Sequence, residues 1–161
     1  MSRTQALEIL AAPDKDAAAK PKVIGDALRV VGAHLARQVE LPAGAVAVAI
    51  GRSNLDLLAG ARQVYGEQRT YTVVARRARR WSQVETQWIT GEPPRDVPLV
   101  MFSRTIVSGA TVRAVLADLG RVDEQPIIVL AVSATTKGIE AILETHPTVT
   151  VTAADPEGAN R

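Results

Sequence analysis

The chain has 161 residues, of which 47% are hydrophobic and 22% charged, and its formal net charge is +2. That length suits one domain with a sizeable core, and the absence of cysteine excludes disulfides, thiolate zinc sites and cysteine nucleophiles. So small a net charge and an aromatic content of 3% count against base-stacking nucleic-acid recognition. With no membrane-length apolar run and no signal-peptide pattern, a cytoplasmic location is expected.

Residues 3–10 hold one or two helical turns, and the stretch 11–22, AAPDKDAAAKPK, has no periodicity. Residues 1–22 therefore read as an arm or linker ahead of a single domain over 23–161. From Val23 to Val39 the apolar residues Val23, Ile24, Leu28, Val31 and Leu35 recur at helical spacing and predict an amphipathic helix. LPAG breaks it, AVAVAI (45–50) predicts a strand, GRSN a loop, and LDLLAGARQVYG (55–66) the next helix. RTYTVVA (69–75) is strand-like. Arg76, Arg77, Arg79 and Arg80 follow within five residues, and WSQVETQWI (81–89) alternates as a further strand. After the turn GEPPRD come a strand at PLVMFS (98–103), a helix over 110–120, a strand at 126–132, a helix over 136–146 and a strand over 148–153. Apolar strands alternating with helices predict an α/β fold, a mainly parallel twisted sheet flanked by helices. Ligands on such sheets bind beyond the carboxyl ends of the strands. The loops 51–54, 76–80 and 103–109 are expected to converge there.

The richest of these segments is PLVMFSRTIVSGATVRAVLADLG, residues 98–120. A buried strand feeds a short polar turn containing a glycine, and a helix starts at once. Such a turn aims backbone N–H groups and the positive end of a helix dipole at one spot. Ser108 and Thr111 add hydroxyls, and Gly109 permits close approach to the backbone. The plainer alternative is a structural turn in which Ser108 caps the helix.

With these loops placed, the chain resembles the type I phosphoribosyltransferases, and among them uracil phosphoribosyltransferase, over residues 45 to 155. RSNLDLLAG (52–60) is similar to that family's RAGLGMVDG segment, which faces the pyrophosphate of phosphoribosyl pyrophosphate. The resemblance so implies pyrophosphate contacts from Arg52, Ser53 and Asn54, and from Arg76, which stands at the place of a YRDE-type arginine. FSRTIVSGATV (102–112) falls on the VDPMLATGGSAV loop, implying that Ser103, Arg104, Val107, Ser108, Gly109, Ala110 and Thr111 surround the 5′-phosphate. SATTKGIEAILETHPTVTVTAAD (133–155) is similar to the stretch that closes the family's sheet. The chain departs from the pattern at functional positions. Ser103 replaces a ribose-binding aspartate, Arg104 a proline and Ala110 a loop glycine. Asp56 adds a negative charge beside the pyrophosphate position. The family's uracil-recognising YIVPGLGDAGDR segment has no counterpart in the chain.

The resemblance implies a divergent protein that binds a phosphoribosyl group, as phosphoribosyl pyrophosphate or a nucleotide, and transfers it to a base. It also implies Mg2+ carried with the diphosphate, and a homodimer. The alternative is a non-catalytic regulatory or assembly subunit of the same fold, and behind it an RNA-binding regulator using Arg76 to Arg80. His34, inside the first long helix, and His146, at a helix end, read as structural. Trp81 and Trp88 read as packing residues.

Overall fold

The computed structural model describes residues 1–11, 21–77, 83–120 and 125–156. In chain order its elements are α1 (Arg3–Ala11), α2 (Pro21–Ala36), β1 (Val46–Ile50), a 3-10 turn (Arg52–Asn54), α3 (Leu55–Tyr65), β2 (Thr70–Arg77), β3 (Val84–Trp88), β4 (Leu99–Ile106), α4 (Ala110–Leu119), β5 (Ile127–Ala134), α5 (Thr136–Thr145) and β6 (Val149–Asp155). The six strands form one sheet in the order β3-β2-β1-β4-β5-β6. All neighbours run parallel except β2 and β3. Among the described residues no helix is long and apolar enough to cross a membrane.

Every residue of β1, VAVAI, is buried, as a central parallel strand requires when helices cover both faces. Alternation along the strands divides the core in two. Val48, Leu99, Met101 and Val129 join Val112, Leu116 and Ile142 of α4 and α5 on one face. Ala47, Val100, Phe102 and Leu130 join Leu28, Val31 and Leu57 of α2 and α3 on the other. Ala6 of α1 is fully buried in this second layer, and the Arg3 guanidinium donates to the Ala154 carbonyl at 2.6 Å, tying α1 to β6.

Several strand ends differ from the sequence expectation, β5 and β6 each running two residues further, to Ala134 and Asp155. β2 continues through Arg77 because β3 returns antiparallel beside it, pairing Arg76 with Glu85 and Arg77 with Val84. Residues 77 and 84 are too close in sequence for a parallel crossover, so a hairpin-like return is the available solution. As an edge strand, β3 alternates half-buried and exposed residues and spans only 84–88. Trp88 packs on the core and its indole N–H donates to Asp118 of α4 at 2.8 Å. β4 runs to Ile106, three residues past the expected end, because β5 extends beside it and pairs through Thr105–Ser133 and Ile106–Ala134. Arg79, Arg80 and Trp81 lie outside the described residues.

His34 sits on α2 beside Arg3 and Arg37, and its ring Nε2 is 3.0 Å from the Gln38 side-chain amide. Partial burial, then the two arginines, hold its pKa below the ordinary value of 6.5. The folded state thus resists a proton that the unfolded chain accepts. Its contribution to stability is present above the unfolded value and is lost as pH falls through 6.5 toward the lower folded value. Thermal melting from neutral to mildly acidic pH should show this loss, and His34→Gln should flatten it.

Candidate functional site

The chain order reverses between β1 and β4. From β1 the path leads through α3 to β2 on one side, whereas from β4 it leads through α4 to β5 on the other. A crevice opens where successive crossovers diverge in this way. It is bounded here by the loop after β1 (51–54) and the turn after β4 (107–109). The end of β2, bearing Arg76, flanks it beyond β1.

The turn after β4 is shaped by one glycine. Gly109 has φ 69° and ψ −4°, and α4 starts at the next residue. A left-handed residue at this place costs glycine little and any other residue about 1–2 kcal/mol. Gly109, and not Ser108, is the N-terminal boundary residue, and no side chain caps α4. Ser108 is exposed, so its hydroxyl is not spent on the helix. The first helical bond runs from the Arg113 N–H to the Gly109 carbonyl at 3.0 Å. The turn and first helical residues enclose a concavity of about 160 Å³, lined by Thr105 to Val112. Amides at an uncapped ten-residue helix and a positive dipole end give this concavity the geometry of a candidate anion cradle.

The cradle rests on the start of α5. Thr135, 6% exposed, donates its hydroxyl to the Val107 carbonyl and accepts from the Gly138 N–H at 2.9 Å. Its own N–H donates to the Ile106 carbonyl at 2.9 Å. A Cβ placed on Gly138 would stand 2.7 Å from the Val107 carbonyl oxygen, and one on Gly109 would stand 2.6 Å from the Gly138 carbonyl oxygen. Two glycines and one threonine thus interlock turn and helix. Thr105, Thr135 and Gly138 were not among the sequence candidates. Thr135, a hydroxyl residue immediately before a helical pattern, was the available signal.

Of the other candidates, Arg52 and Ser53 are exposed on the 3-10 turn. Asn54 is 4% exposed and turned inward, with its amide N–H donating to the Ile50 carbonyl at the end of β1. Its carbonyl oxygen is buried without a partner. Gly51, at φ 86°, lets the chain turn off β1, and its N–H donates to the Val73 carbonyl at 2.6 Å. Asp56 does not stand as a free charge beside the crevice. Its carboxylate accepts from Arg29 of α2 at 2.6 Å, and Arg29 also reaches Asp26 at 3.1 Å. Arg76 is exposed on β2 opposite Glu85.

Ser103 and Arg104 belong to β4 and not to the loop after it. Ser103 is 6% exposed, and its hydroxyl makes a long 3.5 Å contact with the Thr105 carbonyl. Arg104 is half-buried. Ala110 lines the cradle and also a larger groove of about 680 Å³ that runs along Arg113 and Ala114 to Gln83, Val84 and Glu85. Among the described residues no three His, Asp or Glu side chains gather as a metal site.

No protein-family model matches the chain, and no curated protein matches it by sequence. Solved structures do. The AQ2163 protein from Aquifex aeolicus superposes with a TM-score of 0.74 at 15% identity, over 95% of this chain and 82% of that one. The Helicobacter pylori xanthine-guanine-hypoxanthine phosphoribosyltransferase superposes at 0.60 and 15% identity, over 82% and 85%. The APRTase from Giardia lamblia, complexed with 9-deazaadenine, superposes at 0.62 and 13% identity, over 95% and 97%. The chain has the α/β fold shared by these phosphoribosyltransferases.

Proposed function

We propose that this protein binds a phosphorylated ribose compound, phosphoribosyl pyrophosphate or a nucleotide, with its 5′-phosphate at Val107 to Thr111. The observation that carries this reading is the left-handed Gly109 turn, which opens onto the uncapped start of α4. In this reading the diphosphate lies toward Arg52 and Arg76, whose guanidinium groups suit phosphate oxygens. A transferase of this kind needs no covalent nucleophile. Its work would be to position the sugar and to neutralise the departing pyrophosphate.

One observation favours the second reading, a binding or regulatory protein without turnover. Ser103, at the position of the ribose-binding aspartate in the resembled family, is buried and carries no charge. Two sources point to different acceptor bases. The sequence resemblance points to uracil, whereas one structural relative is named for purine bases and another is complexed with a purine analogue.

Calorimetry with phosphoribosyl pyrophosphate, run with EDTA and again with excess magnesium, should show saturable binding in at least one buffer. Absence of binding in both at millimolar ligand would refute the proposal. Pyrophosphate release with uracil, guanine, hypoxanthine, xanthine and adenine then separates transfer from binding alone.

A further inference from the structure

The carboxyl ends of the three central strands carry an excess of cations. Ala49 of β1 pairs with Phe102 of β4, so Arg104 stands level with Gly51, one residue before Arg52. On the other side of β1, Ile50 pairs with Val73, and Arg76 lies three residues further along β2. Adjacent strands are about 4.8 Å apart, so the three arginine backbones sit across about 10 Å of sheet end. Among the described residues no ion pair or side-chain hydrogen bond engages the guanidinium groups of Arg52, Arg76 or Arg104. The start of α4 adds its own positive end.

Among the described residues the carboxylates of this region do not balance these groups. Asp56 is held by Arg29. Glu85 stands opposite Arg76 alone, and Asp155, at the end of β6, lies on the side of β4 away from β1 and has an interaction of its own. Magnesium sites combine one or two carboxylates with substrate phosphates and water. The donors nearest this crevice are instead hydroxyls (Ser53, Ser103, Thr105, Ser108 and Thr111) interspersed with arginines. A divalent cation there would meet guanidinium charge at short range in place of a carboxylate. The residues do not fit a resident or ligand-borne magnesium.

Resting on the phosphoribosyl reading above, we infer that the site takes its phosphate-bearing ligand as the free anion and not as the magnesium complex. Arg104 supplies at the sheet end part of the positive charge that a metal would otherwise bring. Magnesium then competes with the protein for the diphosphate oxygens, and its addition weakens binding.

The two-buffer calorimetry tests this directly with phosphoribosyl pyrophosphate as the probe. Affinity in EDTA should exceed that in excess magnesium by about tenfold or more, the scale of one charge-assisted hydrogen bond. Arg104→Gln should reduce the EDTA affinity about tenfold. Arg52→Ala, on the exposed turn and without a packing role, should reduce it in the same direction if Arg104→Gln fails to fold. Arg104→Asp should reverse the preference, so that magnesium strengthens binding. Equal or tighter binding by the unaltered protein in magnesium would overturn the inference while leaving the phosphoribosyl reading intact. Absence of binding in both buffers would overturn both.

Discussion

Gly109→Ala should abolish binding of phosphorylated ligands and lower the unfolding free energy by about 2–5 kcal/mol. Two costs combine. An alanine must adopt φ near 69°, a left-handed conformation that costs about 1–2 kcal/mol. Its Cβ would also stand 2.6 Å from the Gly138 carbonyl oxygen and 2.9 Å from Ile142 Cγ1, which forces the turn away from α5. Overpacking of this kind adds about 1–3 kcal/mol. Because the turn's amides form the cradle, the displacement that relieves the overlap also removes the site. Urea denaturation and calorimetry read the two effects separately. Ser108→Ala is the control: its side chain is exposed and caps nothing, so stability should stay within about 0.5 kcal/mol. A Gly109→Ala protein with unaltered stability and binding would refute the cradle geometry.

Gly32→Ala should lower stability by about 3 kcal/mol or more, against the sign that helix propensity predicts. In an isolated helix the change is worth roughly 0.5–1 kcal/mol of stabilisation. Here a Cβ on Gly32 would fall on the Leu57 carbonyl oxygen of α3, and one on Gly60 would fall on the Arg29 carbonyl oxygen of α2. The two helices meet backbone to backbone at reciprocal glycines, and neither carbonyl can swing aside without breaking its own helix. Separating the helices would loosen Leu28, Val31, Leu35 and Leu57, all buried between them and the sheet. It would also strain the Arg29–Asp56 pair across the same interface. Gly60→Ala should behave alike, whereas Gln63→Ala on the exposed side of α3 should be near neutral. A stabilised Gly32→Ala protein in urea denaturation would show that the helices are not in backbone contact.

The elements legible in the sequence share one property, a local pattern strong enough to stand without its neighbours. AVAVAI and PIIVLAV are uninterrupted apolar runs, and both are buried strands of a parallel sheet. The turn at Val107 to Thr111 was legible because a glycine between a strand and a helix has few conformational uses. The ends of β2 and β4 extend past the local pattern, since Arg76, Arg77 and Arg104 look like loop chemistry. They are strand residues because the adjacent strands extend far enough to pair with them. A polar residue at the end of a strand costs little when it can reach solvent, so polarity by itself marks no boundary there.

Residue order within short windows sets the alternation of strands and helices, the mainly parallel sheet and the strand–turn–helix at residues 98–120. Each of these follows from apolar period and turn chemistry within a few residues. Packing of the whole chain sets which loops share a crevice, because that depends on β1 and β4 being neighbours although about fifty residues separate them. It also dictates that Asp56 is neutralised by Arg29, that Asn54 turns inward to Ile50, and that Thr135 and Gly138 support the cradle. Each of these is a contact between side chains and backbones brought together by packing. No local period or motif encodes such a contact, and so the charge of the site became readable only once the strands were set side by side.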